Sequence, residues 1–326
     1  MHVMIIGAAG MIGRKLVDRL IADRQALGEE LSHLTLVDVI AAAATADVAS
    51  TVTVANLTEL GAAAKLIATR PDVIFHLAAV VSGEAEADFE KGYAVNLDGT
   101  RNLFEAIRLE GAGERYCPRL VFASSTAVFG SPFPEAIGDD FLTAPLTSYG
   151  TQKAIAELLL SDYSRRGVFD GIGLRLPTIC IRPGAPNKAA SGFFSGILRE
   201  PLNGEEAVLP VEDHVRHWFA SPRAAVGFFM QAAQMDLAPL GARRNLTMPG
   251  LSATVADQMD ALRRMAGEKA VRLIRRQPDP VIAQIVAGWP TRFAADRAHQ
   301  FGFRAESSFD DIIRIYLDDE RGGRRP

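Results

Sequence analysis

Cysteine is scarce: the chain of 326 residues has two, Cys117 and Cys180. They make neither a metal-ligand spacing nor a disulfide framework, so no metal is expected, and buried free thiols in a reducing compartment are the reading. Long apolar runs are missing as well. No stretch reaches the roughly 18 residues that a membrane helix needs. The opening MHVMIIGAAG has neither a basic start nor a long apolar segment, so no secretion signal is expected, and a cytoplasmic protein is. Excess charge is also lacking. The formal net charge is -4, and the cations are dispersed except for a short basic tail from Arg321 to Arg325, so neither nucleic acid nor a membrane surface is an expected partner. Repeats and low-complexity tracts are absent apart from the alanines Ala41 to Ala44. What the chain does have is apolar residues, 48% of the total, enough for one large domain or two modest ones.

Those apolar residues alternate between two periods. Short β-branched runs at Val3–Ile6, Leu34–Val37, Val73–Leu77, Leu120–Ala123 and Ile172–Leu176 predict strands. Helical spacing fills Ile12–Ala22, Leu57–Thr69, Tyr93–Leu109 and Gly150–Arg165. Strands separated by crossover helices predict an α/β fold with a doubly wound parallel sheet. After about residue 183 the texture becomes loop-rich, with helices expected at Val255–Ala266 and Ser308–Asp318. The expected organisation is a nucleotide-binding domain over 1–182, to which 215–235 returns, and a smaller mixed substrate lobe over 183–326.

Between the first strand and the first helix stands Gly7-Ala8-Ala9-Gly10-Met11-Ile12-Gly13. Glycines there let backbone N–H groups approach a diphosphate at a helix N-terminus, where the helix dipole favours an anion. Asp38 ends the second strand. Its carboxylate can accept both hydroxyls of an adenosine ribose and would repel a 2′-phosphate, and Val39 and Ile40 offer no cation to hold that phosphate. NAD rather than NADP is the expected cofactor. Farther along, Tyr149 and Lys153 are four apart at the start of a helix and share a face. An ammonium beside a phenol favours the phenolate, which makes the pair a candidate proton-transfer device.

The ordered set resembles the extended short-chain dehydrogenase/reductase family, the NAD-dependent epimerases and dehydratases, over essentially the whole chain. It comprises the glycine turn, Asp38, His76-Leu77-Ala78-Ala79, Asn96, the run Ser124-Ser125-Thr126-Ala127-Val128-Phe129-Gly130, Tyr149 with Lys153, Arg216-His217-Trp218, and Phe301-Gly302-Phe303. The resemblance implies roles. Gly7, Gly10, Met11, Ile12 and Gly13 would line the diphosphate and adenosine ribose, and Leu77, Ala78 and Ala79 would flank adenine and ribose. Asn56 and Leu57 occupy the loop after the third strand, where the family more often has an acidic residue on adenine. Pro177 and Thr178 would touch the nicotinamide carboxamide. Ser125 would hold the reacting oxygen, with Ser124 as its competitor and Thr126 beside it. Tyr149 would be the general base, Lys153 would hold the nicotinamide ribose and lower the tyrosine's pKa, and Asn96 would support a proton relay.

Within the family, sugar dehydratases carry an Asp-Glu pair after the motif's serine or threonine. Thr126-Ala127 stand there instead, which disfavours dehydration. His217 replaces the Asp of the Arg-Asp-aromatic signature common in nucleotide-sugar enzymes. The combination resembles a subgroup that oxidises D-erythronate, a four-carbon sugar acid, at C2 to 2-oxo-tetronate; a nucleotide-sugar epimerase using the same Ser/Tyr/Lys site is the alternative. A sugar acid's carboxylate calls for a cation and hydroxyl donors, for which Arg182, Lys188, Arg216, Asn187 and Ser191 are the candidates. His76 and His217 are expected as packed histidines. A homodimer would use Leu103, Ile107, Ile155, Leu158 and Leu159, whose other reading is burial against the chain's own sheet.

Overall fold

A computed structural model describes residues 1–24, 28–184 and 190–323. In chain order the strands are β1 (His2–Ile6), β2 (His33–Asp38), β3 (Ser50–Val54), β4 (Val73–His76), β5 (Arg119–Ser125), β6 (Asp170–Leu176), β7 (Thr178–Ile179), β8 (Ala207–Leu209), β9 (Arg216–Ala220), β10 (Asn245–Thr247), β11 (Leu251–Thr254) and β12 (Ile274–Arg276). The chain forms two compact units: one of residues 1–128, 145–175 and 226–247, the other of 129–144, 176–225 and 248–323.

The first unit holds a seven-stranded sheet in the order β10-β6-β5-β4-β1-β2-β3. Its registered neighbours run parallel, as expected for strands joined by crossover helices. The run Val3–Ile6 is wholly buried, as a central parallel strand covered on both faces must be. A cluster of Met4, Ile74, Leu103, Phe104, Ile107, Phe122, Leu160 and Phe169 fills the space under the helices Gly99–Glu110 and Ser148–Arg165. Leu103 and Ile107, named above as possible dimer surface, are both 0% exposed. They belong to this unit's own core; of the five, Leu158 is the exposed one.

The second unit holds a three-stranded sheet, β11-β9-β7, and a two-stranded one, β12-β8. Of the return expected at 215–235, residues 226–235 belong to the first unit, whereas 215–225 lie in the second. β9 lies in the smaller sheet, antiparallel to β11 and parallel to β7. The strand that does return to the large sheet is β10, in register with β6. β9 is paired on both edges within its own unit, and its Phe219 is in the core with Phe194, Ile312 and Phe309.

Three local features differ from the periodicity. The helix expected over Leu57–Thr69 spans only Ala62–Ile67. Before it, the Asn56 side chain accepts from Thr58 N at 3.1 Å, and Gly61 takes φ +78°, a left-handed turn that ends the preceding loop. The stretch expected as one helix over Tyr93–Leu109 contains a π-helical turn at Ala94–Asp98, which carries the buried Asn96. The helix at Tyr149 begins at Ser148, because Thr147 caps it: its hydroxyl accepts from Gly150 N at 3.1 Å.

Candidate active site

The glycine turn joins β1 to the helix Met11–Ala22. Gly7 and Ala8 donate to Val37 O at 2.8 and 3.0 Å, hooking the turn onto β2. Gly7 has φ +97°, and a Cβ there would lie 2.7 Å from Ala78 N. A Cβ on Gly13 would lie 2.2 Å from Gly7 O. Both positions exclude any side chain, which keeps the backbone bare where the first helix starts. No side chain caps that helix, and its first turn contains no acid, so its leading N–H groups suit an anion. The turn therefore fits a diphosphate. Asp38 sits at its mouth, with Oδ2 accepting from Ala9 N at 2.9 Å and Oδ1 from Val39 N at 2.7 Å. The Val39 and Ile40 side chains beyond it are exposed. Leu77 and Ala78 donate to Ile6 O, which holds the 77–79 loop beside the turn. Asn102 Nδ2 donates to Leu57 O at 2.9 Å, fixing the loop after β3.

β5 ends in the two serines, and they do different things. Ser124 is buried and donates to Glu157 Oε1 at 2.6 Å. Ser125 is half-buried, and its Oγ accepts from Ala127 N at 3.1 Å, which leaves its proton to be donated. Ser124 is thus committed to the interior. Thr126 is buried in the turn that follows.

The helix Ser148–Arg165 approaches that turn closely. A Cβ on Gly150 would lie 2.1 Å from Ala127 O, so only glycine lets the first helical turn seat there. Tyr149 and Lys153 follow on the face toward β5. Lys153 is 1% exposed. Its Nζ donates to Ala123 O at 2.8 Å and stands 4.7 Å from the Phe122 ring centroid and 5.8 Å from that of Tyr149. Burial pulls the ammonium down to about 7, while the Glu157 carboxylate opposes the fall.

Asn96 is clamped rather than poised. Its Oδ1 accepts from Val80 N at 2.8 Å, and its Nδ2 donates to Val80 O at 3.0 Å and to Gln152 Oε1 at 2.8 Å. Both amide protons are used, so the side chain ties the loop after β4 to the helix Ser148–Arg165. His76 pairs through Nε2 with the Thr100 hydroxyl at 2.9 Å, and Thr100 in turn donates to Asn96 O. Burial, with Lys153 adding, holds His76 near 3, so the ring is neutral and structural.

The remaining sequence-predicted residues lie in the second unit. Pro177 stands between β6 and β7. The Thr178 hydroxyl pairs with His217 Nε2 at 2.7 Å. His217 is buried, stacked on Phe194 with 5.3 Å between ring centroids, and held by burial near 3; it is the packed histidine expected. Arg182 donates through Nε to Ile179 O and through Nη2 to Ser191 Oγ. Arg216 donates to Ser252 O at 3.2 Å. Asn187 and Lys188 lie outside the described residues. Among the described residues no group of His, Cys, Asp and Glu could hold a metal ion, and no helix is long and apolar enough to cross a membrane.

Two polar neighbours of the Tyr149 and Lys153 pair escaped sequence reasoning. The buried Glu157 and the partly buried Arg175 form an ion pair, with Arg175 Nη2 2.7 Å from Glu157 Oε2. The signal was available in part, since Glu157 follows Lys153 by the same four-residue step that separates Lys153 from Tyr149.

Known proteins resemble this chain along nearly all of its length. A curated D-erythronate dehydrogenase of Cupriavidus necator is 44% identical over 324 residues, covering 98% of each chain. One from Haemophilus influenzae is 41% identical over 319 residues, covering 98% of this chain and 99% of its own. A crystal structure described as the nucleoside-diphosphate-sugar epimerase from Agrobacterium tumefaciens superposes with a TM-score of 0.97 at 61% identity, covering 99% of this chain and 95% of that one. The profile named Epimerase, for the NAD dependent epimerase/dehydratase family, matches residues 3–232. That span takes in the glycine turn, both serines and the Tyr149 helix together, so the chain belongs to the NAD dependent epimerase/dehydratase family.

Proposed function

We propose that the protein is an NAD-dependent dehydrogenase that oxidises a small 2-hydroxy sugar acid, D-erythronate, at C2 to 2-oxo-tetronate. The observation that carries the chemistry is Lys153 buried beside Tyr149 on a helix seated against the serine turn. The two full-length dehydrogenase relatives support the substrate.

Bound NAD supplies an acceptor for the hydride of C2. The glycine turn of Gly7, Gly10, Met11, Ile12 and Gly13 would hold its diphosphate, and Asp38 its adenosine ribose. Asn56, Leu57, Leu77, Ala78 and Ala79 would border the adenine side, and Pro177 and Thr178 the carboxamide. The chain's own residues manage oxygen and proton. Ser125 donates a hydrogen bond to the reacting oxygen, and Tyr149 as phenolate takes the hydroxyl proton. Lys153 favours that phenolate by its charge. Asn96 keeps the helix in register with the loop after β4. Arg182 and Arg216 are the described candidates for the acid's carboxylate, with Ser191 as a neutral donor, and replacing each singly by alanine identifies the cation as the one whose loss raises KM for the acid most.

A second reading, nucleotide-sugar epimerisation, is favoured by the description of the Agrobacterium structure. The two separate in one assay. The protein is incubated with NAD and a panel of four- to six-carbon aldonates, and reduced cofactor is followed by absorbance. Steady net reduction with D-erythronate, abolished in Tyr149→Phe while NAD binding survives, is the expected result. Absence of net reduction together with interconversion of a nucleotide sugar would replace the dehydrogenase reading with the epimerase one.

A further inference from the structure

Glu157 stands one helical turn beyond Lys153, 3% exposed, on the same face. Its carboxylate is gripped from two strands. From β5 the Ser124 hydroxyl donates to Oε1 at 2.6 Å. From β6 the Arg175 guanidinium donates through Nε at 3.0 and 3.1 Å to both oxygens and through Nη2 at 2.7 Å to Oε2. Such a fork fixes the carboxylate's plane as well as its place. The groups around Lys153 are Tyr149 and Glu157 on its own helix, Ala123 O, the Phe122 ring and Ser124 on β5, and the neutral His76 on β4, with Arg175 behind Glu157. Of these, Glu157 is the one carboxylate.

We propose that Glu157 is a positioning residue for the Tyr149 and Lys153 pair: clamped by Ser124 and Arg175, its carboxylate keeps the buried Lys153 side chain in the ammonium form on which the Tyr149 phenolate depends. The inference rests on the reading of Tyr149 and Lys153 as the proton-transfer pair. The clamp gives the arrangement its sense. A loose carboxylate would collapse onto the lysine or swing away, whereas one shared with Arg175 biases the ammonium from a fixed distance. Without the anion, burial acts on Lys153 unopposed, and its proton affinity falls. A neutral lysine no longer favours the phenolate, so the acid limb of turnover moves to higher pH.

The direct test needs neither cofactor nor substrate. The chain has six lysines, few enough for a 13C-lysine NMR titration of the free protein, with Lys153→Arg assigning the signal. In the parent the Lys153 signal titrates near about 7. In Glu157→Gln the midpoint falls by about one pH unit or more, and in Glu157→Asp, which restores the charge on a shorter stem, it returns part of the way. Because Glu157→Gln takes the carboxylate away from Arg175, a Glu157→Gln, Arg175→Met double variant is measured beside it; replacing both members of an ion pair together is often tolerated. A lowered midpoint in either folded variant supports the proposal, and a midpoint equal to the parent's overturns it. The accompanying pH profile of kcat/KM separates the two readings. If the parent reduces NAD with no aldonate, the dehydrogenase assignment fails while the titration still decides the role of Glu157.

Discussion

Replacing Lys153 with methionine should stabilise the protein while removing its activity. The ammonium is 1% exposed, and Ala123 O at 2.8 Å is its backbone acceptor. Burial lowers its pKa from 10.5 to about 7, net of the opposing pull of Glu157. At about 1.4 kcal/mol per pH unit, the fall corresponds to roughly 5 kcal/mol by which folding disfavours the charged side chain. The sign follows from proton counting. The unfolded chain holds the proton more tightly, so between about 7 and 10.5 it carries more protons than the folded one, and stability rises with pH. The cost is complete below about 7 and gone above 10.5. Methionine has a similar length and no charge. It gives up the hydrogen bond to Ala123, worth about 1–3 kcal/mol for a charged donor. The Lys153→Met variant should therefore be more stable than the parent by about 2–4 kcal/mol near pH ~6, with the gain lost, and turned into a deficit by the missing hydrogen bond, by pH ~10. Urea unfolding followed by circular dichroism at several pH values measures the difference. A gain that stayed constant with pH, or a variant weaker than the parent at pH ~6, would refute the reasoning that the folded state strains against a buried ammonium.

Two further outcomes follow from the same site. Gly150→Ala would place a Cβ 2.1 Å from Ala127 O and 2.9 Å from Pro145 Cβ, forcing the helix off the serine turn. It should cost about 1–3 kcal/mol in urea unfolding and lower kcat at least ~10-fold by shifting Tyr149 against Ser125; a variant with parental stability and rate would mean the contact is dispensable. Asp38→Ala should lower the ratio of kcat/KM for NAD over NADP about tenfold or more, since the carboxylate at the turn mouth is what a 2′-phosphate would meet; an unchanged ratio would locate the discrimination elsewhere.

The sequence made the doubly wound sheet legible because its central strands are buried on both faces. Val3–Ile6 and Val73-Ile74-Phe75 are continuous apolar runs, and that local signal survives without knowledge of partners. The glycine turn was legible for a related reason: a Cβ at Gly7 or Gly13 would strike backbone, so the residue type records the geometry directly. β9 was less tractable. Its buried run suits either sheet, and what assigns it is a register with β11, whose pairing depends on residues more than thirty positions away. Asn96 illustrates the same limit. Its place on the helix was evident, but its partners Val80 and Gln152 come from two other segments, and only the fold brings them to its side chain.

The helix Ser148–Arg165 shows why the site resists prediction from hydrophobic pattern. Its buried residues are Gly150, Gln152, Lys153, Ala156, Glu157, Leu160 and Ser164. Few of these are the large apolar groups that ordinarily pin a helix to a sheet. Ala156 and Leu160 supply that packing, and polar partners meet Gln152 Oε1, Lys153 and Glu157 in place. Asn96 meets Gln152, Ala123 O meets Lys153, and Ser124 with Arg175 meets Glu157. An unpaired member of such a network costs more than its pairing contributes. The polar contacts therefore act chiefly by excluding alternatives: a helix rotated or slid by one residue would bury Lys153 or Glu157 without its partner. That selection is what fixes the helix that carries Tyr149 and Lys153, and it comes from the residues that sequence periodicity weighs least.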